Sequence, residues 1–337
     1  MHKFIFGLPK AELNVHLVGA ASADTVLTLT RRHPSAGVPT DETELRKFYE
    51  FTDFDHFVDV YVKVNSLVQT GEDVSSLVDG LAEDLAFNNV RYAEVTVSAV
   101  SHIDAGVAPD ELKEALQTSR RKALAVHGVH LAWIFDIPGL RTPGEEQATL
   151  DFALRQRPEG TVAFGLAGQE AGRDRESYRW AFDIARDAGL HCVPHAGEMT
   201  GPATIWAALR ALRAERIGHG ISAIADPPLL KHLADNAIPL EVCPTSNLRT
   251  NVVRTPREHP LPALLDAGIV VTLNTDDPGM FHTDLNSEYL FCHQEFGLGR
   301  SELADLARNS VTASFAPDAL KTQLLTEISA HTKQGSP

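Results

Sequence analysis

The sequence predicts an α/β fold: a closed (β/α)8 TIM-type barrel with a helical insertion after the first strand and extra C-terminal helices. Three observations carry that expectation. Eight short runs rich in apolar and β-branched residues alternate with longer stretches of helical periodicity. Pro or Gly punctuates many of the borders. Residues able to do chemistry gather where the strands end, which is where barrels of this kind build their sites.

The first strand is expected at 11–18 (AELNVHLV). A long crossover over 19–89 follows, with helical pieces at 22–33, 53–68 and 74–87, and reads as a helical insertion over the C-terminal mouth of the barrel. Further strands are expected at 90–98 (VRYAEVTVS), 130–138 (HLAWIFDIP), 162–168 (VAFGLAG), 191–196 (HCVPHA), 215–219 (ERIGH), 238–243 (IPLEVC) and 269–275 (IVVTLNT). Between them, apolar residues at three- and four-residue spacing mark helices at 109–127, 144–156, 176–188, 201–213 and 227–236. Closing helices are expected at 284–297 and 300–313, with the tail TKQGSP frayed. No repeat, low-complexity tract or flexible linker divides the chain, so residues 1–337 read as one domain.

Hydrophobic residues make up 43% of the 337, enough for a large core and incompatible with a disordered chain. A net charge of −15 argues against a nucleic-acid partner, which would be met by clustered Lys and Arg. No apolar run reaches the ~20 residues of a membrane span, and the N-terminus MHKFIFGLPK lacks a signal-peptide pattern. The expectation is a cytoplasmic protein with no membrane partner. Cys192, Cys243 and Cys292 are too few and too dispersed for a disulfide framework and read as reduced core thiols.

The polar residues converge. Asn14 and His16 lie two apart near the end of the first strand, on one face. His195 and Glu198 end the fifth strand (VPHAGE), His219 the sixth (RIGHG), and Asp276 with Asp277 the eighth (LNTDDPG). Singly, each has a plainer explanation: HAGE as a helix start, TDDPG as a turn, a histidine as a hydrogen-bonded structural residue. Four separate strand ends carrying such groups on one rim make the joint coincidence improbable. Imidazole and carboxylate together suit a borderline metal such as zinc.

The motifs PKAELNVHLVGA (9–20), GLAGQE (165–170), HAGE (195–198), RIGHG (216–220), CPTSN (243–247) and NTDDPG (274–279) span almost the whole chain. Together they resemble the adenosine deaminase family of the metal-dependent amidohydrolase superfamily. The resemblance implies one Zn2+ per chain, held by His16, His195 and Asp276, with Asn14 at the place of a further histidine ligand. It implies Glu198 as the acid that protonates a purine ring nitrogen. His219 would orient or deprotonate the attacking water, Asp277 would meet the imidazole-ring side of the purine, and the Gly168 N–H the far side of its pyrimidine ring. His16 and Val18 would face the sugar. The partner is then a small-molecule purine nucleoside, converted from its 6-amino to its 6-oxo form with release of ammonia. Two-metal relatives commonly use a bridging lysine, and none lies in VAFGLAG, so one metal is expected.

Two positions depart from the family. Asn14 offers a neutral amide where a histidine is expected, so zinc binding is expected to be weak or lost and turnover impaired. An alternative is a non-catalytic, purine-nucleoside-binding relative. Val18 stands where adenosine deaminases carry an acid that resembles a hydrogen-bond partner for the ribose hydroxyl, and valine makes no such bond. Either the loop has shifted and another residue binds the ribose, or the substrate is a nucleoside modified at its 5′ side rather than plain adenosine, as in the aminodeoxyfutalosine deaminases of a menaquinone pathway, whose substrate joins an adenine to a benzoate through its sugar. Arg31 or Arg32, in the insertion, could meet such a carboxylate, but both read more readily as solvated surface charges. The sequence is silent on oligomeric state.

Overall fold

In the computed structural model, described over residues 1–139 and 144–334, the expected strands line up in sequence order as one parallel sheet. They are β1 (Lys10–His16), β2 (Val90–Val97), β3 (His130–Ile137), β4 (Thr161–Leu166), β5 (His191–Ala196), β6 (Ile217–His219), β7 (Leu240–Val242) and β8 (Val271–Leu273). The cylinder closes through a parallel bridge between Val15 and Asp276. There the His16 N–H donates to the Asp276 carbonyl at 2.8 Å and the Asp276 N–H to the Asn14 carbonyl at 2.9 Å. The chemistry-bearing residues of the first and last strands are thereby stitched backbone to backbone.

β6, β7 and β8 are shorter than the apolar runs that encode them. The reason is local at two of them. His219 (φ 58°) and Asp276 (φ 66°) adopt left-handed backbone conformations at or just past the strand ends, breaking the ladder to re-aim their side chains. For residues other than glycine such geometry costs ~1–3 kcal/mol and persists only where the surroundings enforce it.

The 19–89 crossover divides into two parts. Helix Phe54–Asn65 lies over the barrel mouth, capped by Asp53 and burying Phe54, Phe57, Val60 and Val64 inward. Helix Gly71–Phe87 instead packs outside, against β2 and helix Pro109–Lys122, as the ordinary outer helix that follows a first barrel strand. Its N-terminus carries a reciprocal capping box, with the Thr70 hydroxyl and Asp73 carboxylate each taking a backbone N–H.

Closing helices run over Leu285–Phe296 and Arg300–Ala313. A further helix, Asp318–Gln334, lay outside the sequence expectation, and it takes in Thr332–Gln334 of the tail expected to fray; residues 335–337 lie outside the described residues. Its anchor is His331, whose ring stacks on Phe4 (centroids 5.1 Å apart) and bonds the Phe4 carbonyl at 2.8 Å. Among the described residues no helix is long and apolar enough to cross a membrane. The three cysteines are free and buried.

Below the rim the barrel interior holds a closed ionic cluster. Arg216, just before β6, bonds Glu241 of β7 at 2.5 Å, Glu94 of β2, and the Ala313 carbonyl at 2.9 Å. Its guanidinium lies 4.0 Å from the centroid of Phe315. Glu94 also accepts from the Tyr92 hydroxyl and the Phe315 N–H.

Candidate active site

The strand ends bring His16, His195, Glu198, His219, Asp276 and Asp277 around one cavity of about 680 Å³, counting its open mouth. His16 Nε2 lies 3.3 Å from His195 Nε2 and 3.3 Å from Asp276 Oδ1. His219 Nε2 lies 3.6 Å from Glu198 Oε2 and 3.7 Å from Asp276 Oδ2. Two overlapping groups could hold a metal ion, His16–His195–Asp276 and Glu198–His219–Asp276, the donor atoms of each lying within 4.8 Å of one another.

Charge separates these two groups. Burial, with Asp276, Glu170 and Asp277 nearby, pushes the Glu198 carboxyl well above its ordinary range, so it stands as an acid and makes a poor ligand. Burial, then His16 and His219, push His195 well below its ordinary value and leave a neutral imidazole lone pair. Burial opposes ionisation of Asp276, but His219, His16 and His195 outweigh it and hold the carboxylate charged. Burial likewise opposes charge on His16, yet Asp277, Asp276 and Asp136 push its pKa up to about 10. A field that favours a proton on His16 favours a cation there too. With two imidazoles and one carboxylate, His16–His195–Asp276 is the donor set that suits zinc.

Asn14 sits at the barrel-closing bridge, and both heteroatoms of its side-chain amide are buried without a partner. A buried amide with no partner is unfavourable unless something outside the protein's own groups meets it, although Asn14 is not among the residues that line the cavity. Around the cavity, buried atoms without partners include His195 Nδ1, Glu198 Oε1 and Asp277 Oδ1. Burial and Asp276 also push the Asp277 carboxyl well above its usual range. Gly19 packs directly against Asp277, and a side chain at Gly19 would collide with that carboxylate. Gly168 lines the cavity at φ 73°, with its α-carbon too close to the Pro138 carbonyl for any Cβ.

Several supporting residues were not singled out by the sequence. Ser246, in the CPTSN motif, donates to Asp276 Oδ2 at 2.7 Å. Asn247 begins a directional chain. The Leu261 N–H donates to His259 Nδ1 (3.1 Å), so neutral His259 carries its proton on Nε2, facing Asn247 Oδ1 (3.3 Å). The Asn247 amide then donates to His219 Nδ1 at 3.2 Å. His219, its pKa lowered by burial, therefore presents Nε2–H to the cavity. Glu170 of GLAGQE accepts from the Met199 and Thr200 N–H groups and the Thr200 hydroxyl, all at 2.9 Å, fixing the loop after Glu198. Both motifs were visible as sequence, but a supporting role follows only from distances. Asp136, ending β3, also lines the cavity and accepts from the Ser98 hydroxyl at 2.8 Å.

One expectation about the far end of the site does not hold. Val18 is 3% exposed, packs into the apolar core and is absent from the cavity wall, because the chain turns away after His16. Apolar surface comes from the overlying helix instead, through Phe54, Phe57, Val58 and Tyr61. Arg31 and Arg32 are exposed and do not line the cavity; Arg32 pairs with Asp73 and Glu72.

Residues 9–331 match the sequence model of the adenosine deaminase family. Over 334 residues the chain is 50% identical to a Streptomyces coelicolor protein named aminodeoxyfutalosine deaminase, covering 98% of this chain and 86% of that one. The crystal structure of adenine deaminase from Arthrobacter aurescens matches with a TM-score of 0.92 at 30% identity, over 97% of this chain and 99% of that one. That of Arabidopsis ADAL complexed with IMP matches with a TM-score of 0.86 at 26% identity, over 99% and 100%.

Proposed function

Given that this chain belongs to the adenosine deaminase family and is a hydrolytic aminohydrolase of purine-type substrates, we propose that it deaminates a 5′-modified adenine nucleoside of the aminodeoxyfutalosine kind. The observation that carries this reading is one buried acid, Glu198, beside the His219 Nε2–H, at the edge of the His16–His195–Asp276 donor set. His16, His195 and Asp276 would hold a zinc ion, with Asn14 alongside. Bound there, zinc supplies Lewis acidity, enough to bring the pKa of a water from ~15.7 toward ~7.

The chain's own groups do the rest. Glu198 protonates the ring nitrogen beside the amine-bearing carbon, a transfer that its raised pKa permits near neutral pH. The His219 Nε2–H holds the incoming water oxygen and stabilises its growing negative charge. In the tautomer set by Asn247 it donates rather than abstracts. Asp277, with Oδ1 unpartnered, meets the imidazole-ring side of the purine, and the Gly168 N–H the far side of its pyrimidine ring. Water adds at the carbon and its oxygen stays; one of its protons returns to Glu198, replacing the one given to the ring nitrogen, and the other passes to the amine, which leaves as ammonia. The apolar wall of Phe54, Phe57 and Tyr61 suits an aromatic extension at the sugar, and the 50% identical Streptomyces coelicolor relative bears the matching name.

Restoring Asn14→His and measuring zinc content and ammonia release from adenine, adenosine, methylthioadenosine and aminodeoxyfutalosine tests the proposal. Tighter zinc binding and turnover raised by ~10–100-fold are expected, with aminodeoxyfutalosine preferred. Zinc uptake without ammonia from any of them overturns it. The orphaned Asn14 amide favours a second reading, a binding protein without turnover. Ligand binding with no ammonia even at saturating zinc, in the chain as it stands, would favour that one.

A further inference from the structure

The donor atoms of the site occupy one arc of the rim. His16 ends β1, His195 lies near the end of β5 and His219 ends β6, while Glu198 and Asp276 stand just past β5 and β8. The remaining arc, from β2 to β4, carries Ser98, Asp136, Pro138 and Gly168 on the cavity wall. On the reading above, a purine has its reacting carbon among Glu198, His219 and Asp276 and its far edge at Gly168. Its ring substituent must then project over the arc between β4 and β1, past Asp136 and Ser98.

A carboxyl group that deamination does not use stands there. Asp136 is 2% exposed, and its only hydrogen bond to a side chain among the described residues is the one from Ser98, to Oδ1. From the overlying helix, Asn65 (7% exposed) donates Nδ2 to the Ser101 carbonyl at 3.2 Å and leaves Oδ1 buried with no partner. Buried acceptors on a cavity wall are unfavourable unless a donor meets them. Among the described residues, no Lys or Arg lines this cavity, so a phosphate over this arc would meet a carboxyl group and neither lysine nor arginine. Asn65, Ser101 and Pro138 also line an adjoining hollow, which puts Asn65 at the neck between the spaces, with Asp136 on the wall of the main cavity.

We propose that Asp136, with Asn65 from the overlying helix, is the specificity element that accepts the ribose hydroxyls, selecting a nucleoside over both the free base and a sugar-phosphorylated nucleotide. The inference rests on the purine-deaminase reading. A planar carboxyl group can take both hydroxyl protons of a diol, and Ser98 fixes its plane. The neck position leaves room for a sugar extension to pass into the adjoining hollow.

Two measurements on the full-length Asn14→His protein test this. The first leaves the pocket unaltered and compares kcat/KM for adenosine, 2′-deoxyadenosine, 3′-deoxyadenosine and 2′,3′-dideoxyadenosine. Loss of both hydroxyls should cost ~10–100-fold or more, chiefly in KM, because it leaves buried acceptors unpaired. The second introduces Asp136→Asn, which should narrow the adenosine-to-dideoxyadenosine ratio by about tenfold or more. The proposal is overturned if all four nucleosides react alike, or if Asp136→Asn slows adenosine and dideoxyadenosine equally. If no adenine compound is deaminated at all, the parent reading falls and takes this one with it.

Discussion

The barrel has two polar interiors, one at the rim and one below it, and they are built on opposite plans. Below, every charge is answered: Arg216 pairs with Glu94 and Glu241 and caps the Ala313 carbonyl, and Glu94 takes two further donors. At the rim, Asn14, His195, Glu198 and Asp277 each keep at least one buried heteroatom without a partner, and His219 and Asp276 sit in left-handed backbone. Both regions cost free energy to bury. The lower one is repaid within the fold, whereas the upper one is completed only by something from outside. Unanswered polarity gathered around one cavity, more than polarity itself, therefore distinguishes the rim from the cluster below it.

Breaking the lower cluster should give the largest effect. Arg216→Leu strands two buried carboxylates and should destabilise the fold by ~3–5 kcal/mol, read as a fall in Tm or denaturation midpoint. A change below 1 kcal/mol would mean that the cluster is not the satisfied structural unit described, and the contrast with the rim would lose its lower half.

At the rim a substitution should instead spare stability and remove function. Asn247→Asp in the Asn14→His background keeps the shape but turns the donor facing His219 Nδ1 into an acceptor. The proton should move to Nδ1, and kcat should fall ~10–100-fold. Nitrogen NMR of the imidazole would show the tautomer directly. An unchanged kcat would show that the chain from Leu261 to His219 has no bearing on reactivity.

The smallest effect belongs to a satisfied carboxylate outside both regions. Asp73 caps helix Gly71–Phe87. Burial works to raise its pKa, but hydrogen bonds from Thr70, Arg32 and His33 win and hold it below the usual value. A depressed folded-state pKa gives stability that is present above pH ~4 and lost as pH falls through the folded value. Asp73→Asn should cost ~1 kcal/mol at neutral pH and flatten the acid limb of the stability curve. Equal acid sensitivity in both proteins would assign that limb to other groups.

Much of this was legible in the chain itself. The strands announced themselves through β-branched runs bounded by Gly and Pro, and the rim residues through their place at strand ends. Helix Asp318–Gln334 was not, because its packing depends on His331 finding Phe4 across nearly the whole sequence. Val18 was misplaced for a different reason: its role was carried over from the family resemblance, and matching a motif position does not fix where the chain goes once the strand has ended. Asp136 was overlooked although it stands near the end of a strand and two residues before a proline, a signal like that of the groups that were found. Asn247 and Glu170 were visible only as letters of motifs, since support through hydrogen bonds leaves no mark on composition or period.

The closing bridge between Val15 and Asp276 bears on how the protein comes to exist in a cell. The first strand leaves the ribosome long before its partner, so His16 waits without Asp276 through most of synthesis. Contacts of such long sequence separation form late in folding. No nascent or truncated chain lacking the eighth strand can assemble the His16–His195–Asp276 donor set. On the proposed reading, an ion held by that group would bind only the finished barrel and act as its final fastening.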